Sequence, residues 1–302
     1  MLFNKNIKKI NSTNYTVALV GNPNVGKSTI FNALTGIHQH TGNWPGKTVE
    51  NASGICNYKN KNYRLIDLPG TYSLMSHSEE EEIARNYICF GKSDTLLIVV
   101  DATCLERNLN LVYQSLEITP NIILCVNLLD EAKRKGININ LDLLSKRLGI
   151  PVVGTIAKSK KTLKSLMSQV ENICTKKIHP SPIKLNYGVA IEESIEILEP
   201  LIHKQLTNAH SYLARWISIK LIEGDAKILT SISEQLNINL SSNEILKALS
   251  LVYSKLEKSN IKKETFNDKI ISEIFFNAEM LAKSVCSYNK DSYSNIDRKA
   301  DK

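Results

Sequence analysis

Short apolar runs alternate with amphipathic stretches over the first half of the chain. The runs are rich in β-branched residues and lack a polar face; they occupy 15–20, 95–100, 122–126 and 151–155. Such runs are typical of parallel strands that are buried on both faces of a sheet. Helical periodicity fills the intervals, at 27–36, 79–90, 105–117, 141–148 and 162–174. The alternation predicts an α/β domain over 15–175, with three layers and a mostly parallel sheet.

Two local signals refine this prediction. The stretch 51–67 has the pattern of a hairpin, with the polar residues 59–62 as its turn. Ser78 followed by Glu81 fits a capping box, and the acidic run 79–82 suits the positive end of a helix. We therefore interpret the four glutamates as a helix start and not as a metal-binding cluster.

The pattern changes after a proline-containing linker at 176–186. Apolar residues then recur every three or four positions, as on one face of a helix, at Ile191, Ile195, Leu198, Ile202 and Leu206. Similar patterns follow at 211–225, 242–258 and 267–285. We predict an all-helical domain over 187–285, preceded by the α/β domain and an N-terminal extension over 1–14, and followed by a final segment over 286–302.

Composition excludes several classes of protein. The 302-residue chain carries a net charge of +8, which suits either an anionic partner or a lysine-rich composition bias. It has no arginine-rich or aromatic-interleaved patch, so no nucleic-acid partner is expected. The six cysteines form no C-x-x-C pair, which argues against a zinc site. There is no apolar core of a signal peptide and no run of about 18 apolar residues.

The segment GNPNVGKS carries the strongest chemical signal. Gly21-x-x-x-x-Gly26-Lys27-Ser28 is the phosphate-binding P-loop pattern, placed after a predicted strand and before a predicted helix. Its glycines let backbone N–H groups face phosphate oxygens, Lys27 adds charge at the β- and γ-phosphates, and the Ser28 hydroxyl suits Mg²⁺. The predicted phosphate-binding residues are Gly21, Asn22, Pro23, Asn24, Val25, Gly26, Lys27, Ser28 and Thr29.

Four further motifs follow the P-loop in the order expected of a guanine-nucleotide site: TGNWPGKTVE at 41–50, DLPG at 67–70, NLLD at 127–130 and GTIAK at 154–158. In NLLD, Asp130 can accept hydrogen bonds from two guanine N–H groups, and Asn127 would brace the loop beside Leu128. The DLPG motif supplies Asp67 for Mg²⁺ and the Gly70 N–H for the γ-phosphate. The remaining predicted contacts are Gly46, Lys47 and Thr48, with Thr48 completing the Mg²⁺ shell, Leu68 and Pro69, and Thr155, Ile156 and Ala157 near the base.

Six segments together resemble the N-terminal cytosolic region of the ferrous iron transport protein B family. They are GNPNVGKSTIFNALTG, GNWPGKTVE, DLPGTYSL, EEEEIARNYI, VVDATCLERNLNL and NLLDEA, and RWISIKLIEGD is similar to a signature of the family's helical domain. The resemblance implies a Ras-like P-loop GTPase domain, a helical domain that acts like a nucleotide-dissociation inhibitor, and then a polytopic membrane domain that moves Fe²⁺. Residues 286–302 would lead to that domain, so we interpret the chain as a soluble fragment.

The chain departs from common GTPases at three positions. Thr71 stands where many Ras-like enzymes place a water-orienting glutamine, so slow intrinsic hydrolysis is expected. Leu128 replaces the lysine of the usual N-K-x-D motif, which is expected to weaken nucleotide affinity. Ile156 replaces a serine often found in the last motif, which is expected to speed nucleotide release.

By the same resemblance, Asn24 would hold a K⁺ ion with backbone carbonyls of Gly42 and Trp44. The predicted catalytic groups are then Lys27, Asn24, Thr48 and Gly70. The implied cofactors are Mg²⁺ and K⁺. The implied partners are GTP and GDP, the transporter's own membrane domain at the cytoplasmic face of the bacterial inner membrane, and small accessory iron-transport proteins; a homo-oligomer is left open.

Two alternatives are retained. A free-standing GTPase of ribosome or tRNA maturation would explain the basic charge, but it would need an RNA-binding module after residue 180, and the sequence shows none. The histidines His38, His40 and His77 could contact a metal, although histidines in loops are more often solvated.

Overall fold

The computed structural model describes residues 15–36, 39–44, 50–75 and 78–289, with the backbone alone at 39–43, 50 and 51. The chain divides into two compact units. The first contains the chain up to Leu116, Pro120–Ile183 and the chain from Ala278 onward. The second contains Glu117–Thr119 and Lys184–Asn277.

The first unit is built on a seven-stranded sheet with the order β2-β3-β4-β1-β5-β6-β8. Strand β1 pairs in parallel with β4 and β5, and the parallel pairing continues through β6 to β8. Strands β2, β3 and β4 pair antiparallel at the other edge. The strands are β1 Tyr15–Gly21, β2 Gln39–Asn43, β3 Glu50–Tyr58, β4 Lys61–Asp67, β5 Thr95–Asp101, β6 Ile122–Asn127 and β8 Val152–Gly154. The predicted α/β class and mostly parallel sheet are confirmed.

Six α-helices accompany this sheet in the described residues. They are α1 Lys27–Thr35, α2 Glu79–Phe90, α3 Leu105–Leu116, α4 Leu129–Arg134, α5 Leu141–Leu148 and α6 Lys160–Cys174, with a 3₁₀ turn at Ala102–Cys104. Five of them match the helices predicted from periodicity. The short α4 was missed, because six residues are too few to display a helical period.

The core lies on both sides of the central strands. Val17 and its neighbour Ala18 on β1 have no exposed surface, and neither have Leu97 and its neighbour Ile98 on β5. Since neighbouring residues of a strand point to opposite faces, continuous burial requires helices on both faces of the sheet. This explains why the strands have continuous apolar sequences instead of alternating ones.

The hairpin predicted over 51–67 is confirmed, but its turn is shorter than expected. Lys59 and Asn60 both have positive φ angles, of 46° and 61°, and Lys61 already pairs with Tyr58. Two successive residues of positive φ match the right-handed twist of the strands they connect. The predicted turn residues Lys61 and Asn62 therefore belong to β4.

The predicted start of α2 is also confirmed. The Ser78 side chain accepts a hydrogen bond from the Glu81 N–H at 3.2 Å, and Glu79–Glu82 fill the first turn. These acidic side chains lie at the positive end of the helix, which stabilises them electrostatically.

A small antiparallel ladder joins the middle of the first unit to its last described residues. Strand β7, Ile137–Ile139, pairs with β9, Cys286–Tyr288, and the Asn289 N–H donates to Gly136 O at 2.9 Å. The sequence did not predict this pairing, because the two three-residue strands lie far apart in the chain. The described part of the final segment is therefore anchored to the first unit.

The second unit is helical, as expected. Its elements are α7 Val189–His203, a 3₁₀ segment at Asn208–Leu213, α8 Ala214–Glu223, α9 Ala226–Leu236, α10 Asn243–Lys258 and most of α11, Lys263–Val285. Ile195, Leu198 and Ile202 form a fully buried stripe along α7. No helix in the ranges given above combines the length and apolar composition that a membrane crossing requires.

A buried ion-pair cluster organises the second unit around Arg215 on α8. The guanidinium donates to both oxygens of Glu192, at 2.8 and 3.0 Å, to Glu117 at 3.2 Å and to Leu185 O at 2.8 Å. The Tyr187 hydroxyl donates to Glu117 at 3.0 Å. Burial raises the pKa of Glu117 despite the opposing charge of Arg215. Burial alone would also raise the pKa of Glu192, but the hydrogen bonds from Arg215 and the Tyr187 N–H bring it below its ordinary value.

Candidate nucleotide-binding site

The P-loop lies between β1 and α1, where the sequence placed it. Gly26 has a φ of +81° and Asn24 a φ of +66°. A Cβ on Gly26 would also lie 2.4 Å from Asn127 Nδ2, so both the backbone conformation and the close approach require glycine there. Gly21 packs against β5, where a Cβ would lie 2.4 Å from Val99 O.

One buried amide joins the P-loop to the two predicted base-recognition motifs. Asn127 is fully buried, and its Nδ2 donates to Val25 O at 2.9 Å. Its Oδ1 accepts from the Thr155 hydroxyl at 3.1 Å, and Cys125 Sγ lies 3.1 Å from the same hydroxyl oxygen. Burial raises the pKa of Cys125 to about 12, so its thiol stays neutral. The side chain of Thr155, predicted to contact the nucleotide, is thus a brace for Asn127.

The DLPG motif lies directly beside the P-loop. The Leu68 N–H donates to Leu19 O at 2.9 Å, and the Thr71 N–H donates to Gly21 O at 3.1 Å. A Cβ on Gly70 would lie 3.5 Å from Pro23 atoms, which places the Gly70 peptide against the loop. These contacts bring together two motifs that are more than forty residues apart.

Lys27, Ser28 and Asp67 meet at this junction. The Lys27 ammonium contacts the Asp67 carboxylate and donates to Leu68 O at 2.6 Å. The Ser28 hydroxyl lies 3.5 Å from the other Asp67 oxygen. A hydroxyl and a carboxylate oxygen at hydrogen-bond distance are ligands that Mg²⁺ prefers, so these residues fit the implied ion.

The base side of the site begins at the end of β6. Leu128 adopts the left-handed conformation, with a φ of +61°, and precedes α4. This turn places Asp130 in the first turn of α4 with its side chain exposed.

Thr162, at the start of α6, braces the neighbouring loop and was not predicted from the sequence. Its Oγ1 accepts from the Ile156 N–H at 3.3 Å and donates to Ser159 O at 3.0 Å. Its position three residues into α6, near the Ile156 loop, could have indicated this bracing role.

The Thr71 side chain is buried and hydrogen-bonded within its own segment. Its side chain is 2% exposed, and its hydroxyl donates to Ser73 O at 2.6 Å. The expectation that Thr71 cannot replace a catalytic glutamine stays a prediction.

Several predicted residues cannot be placed. Gly46, Lys47 and Thr48 lie outside the described residues, as do His38 and His77. Gly42 belongs to β2, and Trp44 follows that strand, with its ring 5.5 Å from the Tyr87 ring in an edge-on arrangement. Across the described ranges, no group of three or more His, Cys, Asp or Glu side chains could hold a metal.

Comparisons with known proteins agree with this geometry. Residues 15–170 match the family model described as ferrous iron transport protein B, and residues 187–287 match the model of the FeoB cytosolic helical domain. A Porphyromonas gingivalis Fe(2+) transport protein A/Fe(2+) transporter FeoB fusion protein is 40% identical over 223 residues, which cover 72% of this chain and 26% of that protein. A Staphylococcus aureus Fe(2+) transporter FeoB is 34% identical over 246 residues, which cover 81% and 36%. The chain thus spans about a quarter to a third of the length of these relatives.

Solved structures show the same architecture. An S. thermophilus NFeoB variant bound to GDP superposes with a TM-score of 0.77 at 31% identity, covering 90% of this chain and 100% of that one. The apo cytosolic domain of the T. maritima FeoB iron transporter gives a TM-score of 0.71 at 31% identity, covering 90% and 99%. The motif order, the site geometry and both family models lead to one conclusion: the chain belongs to the ferrous iron transport protein B family and comprises its N-terminal GTPase domain and its cytosolic helical domain.

Proposed function

We propose that this chain binds GTP, hydrolyses it to GDP and phosphate, and serves as the cytosolic switch of a Fe²⁺ membrane transporter. The observation that carries the proposal is the pair of hydrogen bonds made by the Asn127 side chain. It donates to Val25 O in the P-loop and accepts from the Thr155 hydroxyl in the GTIAK motif. A bound guanine and a bound phosphate would therefore be held by one rigid frame. The relatives named as Fe(2+) transporters supply the context of iron transport.

Each part of the site has a role in this proposal. Backbone N–H groups of 21–29 and the Lys27 ammonium bind the phosphates, and Asp130 accepts two hydrogen bonds from guanine. Ile156 and Ala157 present backbone groups near the base, and Leu128 packs beside it. Ser28 and Asp67, with Thr48, would hold Mg²⁺, which supplies positive charge to the phosphates when bound.

The proposed hydrolysis is slow without help, because Thr71 cannot orient the attacking water. The source of additional charge stabilisation is K⁺, held by the exposed Asn24 side chain and by backbone carbonyls of Gly42 and Trp44. Potassium suits carbonyl cages better than the smaller sodium ion. Lys27 and the Gly70 N–H stabilise charge on the γ-phosphate by position alone.

The proposed purpose is switching. Contacts of the γ-phosphate with Thr48 and Gly70 would order two loops, including the contacts at Gly46 and Lys47, and hydrolysis would release them. The helical domain and the transporter's own membrane domain would respond to this switch at the cytoplasmic face of the bacterial inner membrane. The fusion found in P. gingivalis favours a small accessory iron-transport protein as a further partner.

The experiment that tests the proposal compares phosphate release in KCl and in NaCl at equal ionic strength. We expect GTP, and not ATP, to be hydrolysed, and turnover to be clearly faster in KCl. Asn24→Ala should remove the difference between the salts while nucleotide binding is largely retained.

Three outcomes separate the parts of the proposal. No binding of GTP would refute the nucleotide function. Equal turnover in the two salts would refute the potassium mechanism alone. An Asn24→Ala variant that still responds to KCl would place the potassium ligands elsewhere.

A further inference from the structure

The segment that follows the DLPG motif is fastened to one face of α3. Gln114 Oε1 accepts a hydrogen bond from the Leu74 N–H at 2.6 Å and lies 3.2 Å from the Ser73 hydroxyl, which donates to it. Two turns earlier on α3, the Arg107 guanidinium lies 4.5 Å from the centre of the Tyr72 ring. Residues seven apart on a helix lie on the same face, so we call Arg107 and Gln114 the α3 docking face.

The docked segment is itself a closed turn. The Thr71 hydroxyl donates to Ser73 O at 2.6 Å, and the Met75 N–H donates to the Ser73 hydroxyl at 3.0 Å. Leu74 is 4% exposed, so the turn also buries an apolar side chain. A turn held together in this way moves as a unit, and contacts at Tyr72, Ser73 and Leu74 therefore restrain Gly70, which precedes it.

We propose that Gln114, assisted by Arg107, is a positioning residue for GTP: docking of Tyr72–Met75 on α3 holds the Gly70 N–H in place for the terminal phosphate. This inference rests on the proposed function. A docked turn has already lost the conformational freedom that binding of the γ-phosphate would otherwise have to remove. GDP has no γ-phosphate, so its affinity does not depend on the docking face.

Loss of a docking contact should therefore weaken binding of GTP but not of GDP. Gln114→Met keeps the length of the side chain and removes the acceptor of both hydrogen bonds. We expect the affinity for a non-hydrolysable GTP analogue and the value of kcat each to fall about tenfold, while the affinity for GDP stays unchanged. Arg107→Leu is expected to cause a smaller fall, about two- to fivefold, because an exposed cation–π contact is weaker.

A rescue variant distinguishes positioning from packing. Gln114→Glu keeps an oxygen that accepts from both the Leu74 N–H and the Ser73 hydroxyl, so it should bind the GTP analogue nearly as wild type does. If Gln114 only filled space, the apolar Met variant would be the milder of the two. Gln169→Met on α6 is the matched control, because Gln169 Oε1 has no hydrogen-bond partner in the described part of the chain.

The test uses fluorescent GDP and a fluorescent GTP analogue, titrated into the complete chain and its variants, with melting temperatures recorded for each. A fall in the ratio of GTP-analogue to GDP affinity in Gln114→Met, restored in Gln114→Glu and absent in Gln169→Met, supports the proposal. An unchanged ratio, or tighter binding of the GTP analogue, overturns it. If Gln114→Met does not fold, Ser73→Ala removes one of the two donors and should lower the ratio about two- to threefold, and no change there would equally overturn the proposal.

These outcomes are distinct from failure of the proposed function. If wild-type protein does not bind GTP, the proposed function fails. If it binds and hydrolyses GTP but every α3 variant behaves as wild type, only the positioning role is lost.

Discussion

At the scale of single residues, the motifs proposed to recognise the base and to bind the phosphates share one buried side chain. Asn127 bonds to Val25 O in the P-loop and accepts from Thr155, which itself contacts Cys125. Each of these polar atoms is buried, so loss of one partner would leave another without a hydrogen bond, at a cost of about 1–3 kcal/mol. These buried hydrogen bonds therefore hold the two motifs together.

The choice of base is predicted to depend on one carboxylate. Asp130→Asn should weaken GTP binding by about 1.5–3 kcal/mol, because a charge-assisted hydrogen bond is lost. The same change should improve binding of xanthosine triphosphate, since an amide can donate to the carbonyl that xanthine carries in place of the guanine amine. Titration of GTP, ATP and XTP into both proteins measures this, and equal GTP affinities would show that Asp130 does not read the base.

At the scale of single elements, the ends of helices and the turns are encoded by a few side chains. Ser78 caps α2 by accepting from the Glu81 N–H, and Lys59 and Asn60 form a two-residue turn between β3 and β4. Helix α2 follows the DLPG segment in the chain, so the residue at which α2 begins limits how far that segment can extend.

Removal of the α2 cap is predicted to destabilise the protein modestly. Ser78→Ala should lower the free energy of unfolding by about 1 kcal/mol, because a helix N–H loses its acceptor. The control is Ser165→Ala, an exposed serine inside α6, where alanine should be neutral or slightly stabilising. Urea denaturation compares the three proteins, and an equal effect of both substitutions would contradict the assignment of the cap.

At the scale of the whole molecule, the two units depend on different interactions. The first is built on a sheet buried on both faces, whereas the second places a buried guanidinium among carboxylates. Removing the cation of such a cluster leaves buried negative charge without compensation. The helical unit should therefore be sensitive to substitution at Arg215.

Arg215→Met is predicted to destabilise the second unit by about 3–5 kcal/mol. Lys255→Met is the control, because the Lys255–Glu193 pair is exposed and should contribute no more than about 1 kcal/mol. Thermal and urea unfolding followed by circular dichroism measure both. Similar losses in the two variants would mean that burial of the Arg215 cluster does not determine its contribution.

The same cluster predicts a dependence on pH. The pKa of Glu192 is lowered in the fold, so its contribution to stability is present above the ordinary pKa of a glutamate, about 4.3, and is lost as pH falls through the folded value. Glu192→Gln should thus lose less stability than wild type between pH 5 and pH 3. The raised pKa of Glu117 acts in the opposite direction, and the Glu192 charge contributes to that rise, so the comparison measures the coupled pair. Parallel stability profiles would contradict this prediction.

The sequence by itself determined the central strands, the β3–β4 hairpin and five helices of the first unit, the helical nature of the second, and the P-loop. These properties depend on residues close together in the chain: the period of apolar positions, the cap at Ser78 and the spacing of Gly21, Gly26 and Lys27. Family membership also followed from local motifs. Features of this kind can be predicted from the sequence because the interactions that cause them join residues close together in the chain.

Only the tertiary structure decided which side chains support the site. The contact of Gln114 with Leu74, the bond from Thr155 to Asn127 and the pairing of β7 with β9 join residues from 28 to more than a hundred positions apart. Gln114 belongs to no motif, so nothing marked it in the sequence, and Thr162 was indicated only by its position at the start of α6. A hydrogen bond requires a distance and a direction between two atoms, and for residues far apart in the chain both exist only once the sheet and its helices have packed.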